Sequence, residues 1–123
     1  SVVYACEREQ FGRPIGANQA VKHRLADNRM ALDDARLVLL DACHAADASH
    51  ESLGERLAMA ELLVMEAANA TVAQAVQTHG AMGITWECPV HFYFKRVKYL
   101  AASLRRERDS AVLLDQIWAL GAV

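Results

Sequence analysis

The chain has 123 residues, 54% of them hydrophobic and only 7% aromatic. That is one domain's length, and folding would bury roughly two thirds of its unfolded surface, enough for a core without disulfide or metal staples. With 13 basic and 15 acidic residues the net charge is −2, which excludes a nucleic-acid binder built on a basic face.

Alanine and leucine dominate, a mix that favours close-packed helices over sheet. The three cysteines, Cys6, Cys43 and Cys88, are odd in number and widely spaced. They fit neither a disulfide framework nor a zinc site, and read as reduced packing thiols of a cytoplasmic protein. No run of about 18 apolar residues offers a membrane span, and no signal peptide is expected. The expectation is a chain with no nucleic-acid or membrane partner.

In chain order, Ser1 to Cys6 is apolar and helix-like without a cap, which suggests a fragment of something longer. This opening helix is expected to end near Gln10 to Gly12. Arg13-Pro14-Ile15-Gly16 reads as a turn, with Pro14 and Gly16 as breakers. Asn18 is placed to cap a second helix from about Gln19 to Ala46, roughly 40 Å long. Val21, Leu25, Leu32, Ala35, Leu39, Ala42 and Ala46 give it one apolar stripe.

Asp47 to Ser52 reads as a loop. Ser52 and Glu55 have capping-box spacing for a third helix, about Leu53 to His79. From Ala67 to Trp86 the chain carries no Asp, Glu, Lys or Arg. Such a segment is buried somewhere: in its own bundle, in a subunit interface or against a ligand. Gly80 and Gly83 open a turn and Pro89 marks a restart. Helices from about His91 to Leu104 and Arg106 to Leu120 follow, the last with Val112, Leu113, Ile117 and Leu120 on one side. Arg105, Arg106 and Arg108 read as a solvated face. The predicted fold is all-α, an antiparallel up-and-down bundle of the four-helix type.

Two glycine-punctuated turns carry the unusual composition: Arg8-Glu9-Gln10-Phe11-Gly12 and Gln77-Thr78-His79-Gly80-Ala81-Met82-Gly83. An arginine and backbone N–H groups at glycines suit a phosphate or diphosphate. The same residues also serve as an ordinary dipole-matching cap and a glycine C-cap. His79 fits either a ligand contact or a satisfied histidine near a cap. The other histidines, His23, His44, His50 and His91, show no metal-ligand spacing, and no nucleophile motif or P-loop is present. Neither a metal nor a catalytic residue is assigned.

Taken together, YACEREQFGRPIGANQAVKHRLAD and AVQTHGAMGITWECPVHFYFKR resemble the C-terminal helical domain of the acyl-CoA dehydrogenases. The resemblance covers nearly the whole chain, so that residues 1–123 would be that domain, without the family's N-terminal helical and middle β domains. It implies that Arg8 and Gln10 contact the diphosphate of an FAD held by a neighbouring subunit, with Phe11 near the flavin. It places Asn18 and Gln19, just before the long helix, among the cofactor-binding residues. It puts Gln77, Thr78, His79, Gly80 and Ala81 at the adenosine and diphosphate end.

The implied parent oxidises an acyl-CoA substrate to a 2-enoyl-CoA, passes electrons to a separate acceptor, and packs as a tetramer, homomeric or heteromeric. Two departures stand out. The family's paired glycines are Gly80-Ala81 here, and a methyl group is expected to narrow the backbone approach. The family's catalytic glutamate falls on Leu104, which cannot accept a proton; reaching Glu107 needs an insertion. A related subset carries the base on an earlier helix and includes heteromers acting on steroid or other bulky thioesters. The alternatives are a catalytically silent subunit of such a heteromer and a free-standing helical interaction module. The fragment alone is expected to be inactive.

Overall fold

The computed structural model describes residues 1–107 and 110–120. The side chains of Arg105, Arg106, Glu107, Arg108, Leu113 and Leu120 lie outside the described residues. Four helices of substantial length form an all-α bundle: α2 (Gln19–Asp47), α3 (Leu53–His79), α4 (Val90–Glu107) and α5 (Ser110–Leu120). A short α1 (Val2–Glu7) precedes them. Helix α3 is central, since α2, α4 and α5 all pack on it.

The opening departs from the expected helix. Helix α1 stops at Glu7, and the next residues form a two-stranded antiparallel hairpin. Strand β1 (Glu9–Gln10) pairs with β2 (Arg13–Pro14), with Gln10 opposite Arg13. The two-residue loop is Phe11-Gly12, with φ of 54° and 77°. Positive φ at both central residues is what a type I′ hairpin turn requires, because it matches the twist of the strands. Ile15–Ala17 then forms one 3-10 turn leading to α2.

Neither expected cap forms through its side chain. The Asn18 Oδ1 atom accepts from Arg13 Nη2 at 2.6 Å, tying the hairpin to the start of α2. Ser52 precedes α3 without a side-chain cap bond. Its Oγ pairs instead with His50 Nδ1 at 2.9 Å and accepts from Arg56 Nε at 2.9 Å. Arg56 also pairs with Asp41, joining α3 to α2. Both partners are substantially solvated, so Arg56→Ala should cost no more than about 1 kcal/mol of unfolding free energy in a denaturant titration.

The buried apolar residues among those described are small. They are Ala5, Ala35, Ala42, Ala45, Ala58, Ala60, Ala67 and Cys88. Ala35, Ala42 and Ala45 share one face of α2, so that face packs closely on α3. The predicted stripe therefore holds only in part: Val21 and Leu25 are half-buried, while Leu32, Leu39 and Ala46 are exposed. Cys6 and Cys43 are exposed as well, so only Cys88 acts as a packing thiol. The uncharged stretch of α3 is mostly half-buried rather than enclosed by its own bundle. Leu37, Leu40, Leu57, Met59 and Leu63 add to a broad exposed apolar surface.

Candidate cofactor site at the two glycine turns

The hairpin and the second glycine turn meet through α1. The Arg8 N–H donates to the Tyr4 carbonyl at 2.8 Å, placing Tyr4 one helical turn before Arg8. The Tyr4 ring stacks on His79, with centroids 4.2 Å apart and planes 22° from parallel. His79 is the last residue of α3, immediately before Gly80. Two blocks some seventy positions apart in sequence thus become one end of the bundle.

Each turn is fixed by close backbone contact. A Cβ on Gly16 would lie 2.9 Å from the Ala5 carbonyl oxygen, so only glycine lets the segment after the hairpin press on α1. A Cβ on Gly83 would lie 2.9 Å from the Val76 carbonyl oxygen, folding residues 80–84 back onto the end of α3. The Ile15 N–H donates to the Arg8 carbonyl at 2.8 Å, closing the base of the hairpin.

The ten residues predicted for the site divide by what their atoms are free to do. Arg8, Gln10 and Phe11 are exposed on the hairpin side, and Phe11 at its tip is 99% exposed. Gln19 and Gln77 are exposed at helix ends. The Asn18 Oδ1 atom is already engaged by Arg13, which leaves its amide N–H groups. The Thr78 hydroxyl donates to the Gln74 carbonyl at 2.8 Å, so toward a ligand it can only accept. His79 Nδ1 lies 2.8 Å from the Ala75 carbonyl, which only accepts. Nδ1 is therefore the donor in this bond, and Nε2 is the ring nitrogen left for a ligand.

Gly80 has φ 60° and ψ −139°, and its N–H is spent on the Gln77 and Val76 carbonyls. Its contribution is conformational, a backbone shape that side chains disfavour. Ala81 is exposed and is not among the residues with positive φ. Its methyl group therefore adds no left-handed backbone strain to the turn. Arg13 and Tyr4, which hold the site together, escaped the sequence reading. The signal for Tyr4 was its spacing four residues before Arg8 in a helix.

Neither Glu87 nor His91 is set up as a base. The Glu87 carboxyl is held below the usual carboxylate range by its own backbone N–H and then by the Thr85 side chain. It stays ionised at neutral pH and is a weak proton acceptor. His91 is buried, its Nδ1 donating to the Cys88 carbonyl at 2.9 Å beneath Trp86 and Phe92. Leu104 on α4 helps to line a groove of about 990 Å³ between α3, α4 and α5, beside Leu62, Leu114 and Ile117. Among the described residues no cluster of three potential metal ligands occurs. None of the described helices is long and apolar enough to cross a membrane.

The structure thus gathers an exposed arginine, an exposed aromatic at a strained tip and a glycine-shaped turn at one end of an all-α helical module. Comparison with known proteins narrows its class. The family model described as "Acyl-CoA dehydrogenase, C-terminal domain" matches residues 1–103. The acyl-CoA dehydrogenase IpdE2 of Mycobacterium tuberculosis is 41% identical over 119 residues, 96% of this chain and 36% of that protein. The crystal structure of the ChsE4-ChsE5 complex from Mycobacterium tuberculosis aligns with a TM-score of 0.85 and 32% identity, over 99% of this chain and 32% of that one. PigA with FAD and proline aligns with a TM-score of 0.86 and 28% identity, over 98% and 30%. The chain belongs to the acyl-CoA dehydrogenase family and corresponds to its C-terminal domain. It spans about a third of the length of the curated relatives that match over nearly all of it.

Proposed function

We propose that this chain is the helical C-terminal module of a larger cytoplasmic flavoprotein that dehydrogenates an acyl-CoA thioester to a 2-enoyl-CoA. In that assembly it contributes diphosphate contacts to an FAD and packs against other subunits. The observation that carries this reading is the Tyr4–His79 stack, which brings the arginine hairpin and the glycine turn to one end of the bundle. The fit to FAD rests on free groups of the right kind. Arg8 offers a cation to the diphosphate, and Gln10, Gln19 and Gln77 offer amides. The Thr78 hydroxyl and the His79 Nε2 edge offer polar contacts for ribose hydroxyls, and Asn18 keeps its amide donors. Gly80, with no side chain, lets a ligand approach its backbone closely, while the Ala81 methyl group narrows the approach beside it.

When bound, FAD supplies hydride acceptance. The chain's own residues would hold and orient it, and Phe11, beside the flavin, would help to exclude water. Proton abstraction falls to a residue outside this chain, because Leu104 has no basic atom. The exposed apolar faces of α2 and α3 suit subunit packing in a tetramer. Electrons then leave to a separate acceptor.

The test is the visible spectrum of the full-length protein. Retained FAD whose oxidised band bleaches on anaerobic addition of an acyl-CoA thioester supports the reading. Absence of flavin under every preparation, alone or with a partner subunit, contradicts it. A second reading has its own support: the resemblance puts the family's glutamate at Leu104, and the structure places Leu104 in a largely apolar groove. On that reading the parent is the silent half of a heteromer, and flavin or bleaching appears only when the partner subunit is added. A steroid or other bulky thioester is the substrate class to try first, since "GITWECPVHFYFKR" resembles the subset that takes such thioesters.

A further inference from the structure

We infer that Tyr4 and His79 form a positioning pair whose ring stack sets the distance between Arg8 and the Gly80 turn, so that both act on one dinucleotide diphosphate. The inference rests on the FAD reading above and goes beyond it, because Tyr4 is given a role without touching the cofactor and His79 one besides its own contact. Hydrogen bonds and close contacts run continuously from one turn to the other. The Arg8 N–H holds the Tyr4 carbonyl at 2.8 Å, and the Arg8 carbonyl accepts from Ile15. The Gly16 backbone abuts Ala5, next to Tyr4. Tyr4 stacks on His79 at 4.2 Å. His79 is itself anchored by its Nδ1–Ala75 bond at 2.8 Å and by the Gly83 segment pressing on its Cβ. Among the described contacts the stack is the link in that path made by side chains alone, and it joins the two turns.

Both rings are half-buried. The worth of such a ring pair is modest. Its consequence is geometric. Without it α1 keeps its own hydrogen bonds and the turn keeps its glycine contacts, while the relative placement of the two is free to relax. A diphosphate then meets one group or the other, and the benefit of simultaneous engagement falls.

The experiment is a double-mutant cycle on the full-length protein, read as the FAD dissociation constant by flavin fluorescence, with the unfolding midpoint followed in parallel. The variants are Tyr4→Leu, Tyr4→Phe, Arg8→Leu and Tyr4→Leu with Arg8→Leu. Tyr4→Leu keeps apolar volume and removes the stack; Tyr4→Phe keeps the stack. The expected result is that Tyr4→Leu weakens FAD binding about two- to tenfold and Tyr4→Phe leaves it within about twofold. Arg8→Leu should cost several times less in the Tyr4→Leu background than in the native protein, the non-additivity expected of coupled residues. Equal costs of Arg8→Leu in both backgrounds, or unchanged FAD affinity in Tyr4→Leu, overturn the positioning pair while leaving the FAD reading intact. An Arg8→Leu variant that binds FAD as well as the native protein overturns the FAD reading and the pair with it.

Discussion

Replacing Phe11 by Asn is expected to stabilise the folded protein and weaken its hold on FAD. Phe11 has φ 54° at the hairpin tip and is 99% exposed, so it contributes strain and no burial within the chain. A bulky residue in the left-handed region costs about 1–2 kcal/mol, whereas Asn tolerates it and suits the first central position of a type I′ turn. The unfolding free energy of Phe11→Asn should rise by about 1 kcal/mol in urea. Strain carried by a fully solvated aromatic is best explained by a surface that buries the ring in the assembled protein. Burying an aromatic side chain is worth about 1.5–3 kcal/mol, so FAD affinity of the full-length variant should fall about tenfold or more. Opposite signs in the two measurements are the signature. A variant less stable than the native protein, or one that binds FAD unchanged, contradicts the role given to the tip.

Gly83→Ala carries the largest expected loss of stability. Its Cβ would meet the Val76 carbonyl oxygen at 2.9 Å, Val76 Cα at 3.2 Å and His79 Cβ at 3.2 Å. Gly83 is buried and two of these atoms are backbone, so relief requires the turn to lift off α3. Overpacking of this kind costs about 1–3 kcal/mol. The variant should also bind FAD less tightly, because the displaced segment carries Gly80 and Ala81. Ala81→Gly is the matched comparison: Ala81 is exposed, and the change should lower stability by no more than about 1 kcal/mol, through the unfolded chain. Denaturant midpoints of the two variants, measured side by side, check the contrast. Equal losses would show that residues 80–84 do not pack on α3 as described.

The helices were legible because their signals are periodic and long. The third predicted helix matches α3 at both ends, Leu53 and His79, since a loop with Ser52 and a glycine bracket it. The hairpin was not legible. Each strand is two residues long, too short for any alternation to show, and Phe11 is an unusual choice for a positive-φ position. Cap side chains misled for a different reason: Asn18 and Ser52 have the right chemistry, but Arg13, His50 and Arg56 claim their oxygens first.

The apolar pattern showed which faces of α2 need covering but not by what. Alanines fill the face against α3, while Leu37 and Leu40 remain exposed. Sequence periodicity does not separate a core within a chain from a surface closed by another subunit. At the site, the residue types were readable, and so was their grouping into two turns. The contact that unites those turns, a ring stack between Tyr4 and His79, depends on the packing of α1 against the end of α3 and leaves no local signature.

The central claim is that the hairpin and the glycine turn of one chain form a single diphosphate site. A crystal structure of the full-length protein with FAD tests it most directly. The account predicts the FAD diphosphate within hydrogen-bonding reach of Arg8, with the Gly80-Ala81 backbone against the same dinucleotide and Phe11 covered. A diphosphate held elsewhere, with Arg8 in solvent and Phe11 still bare, would contradict it.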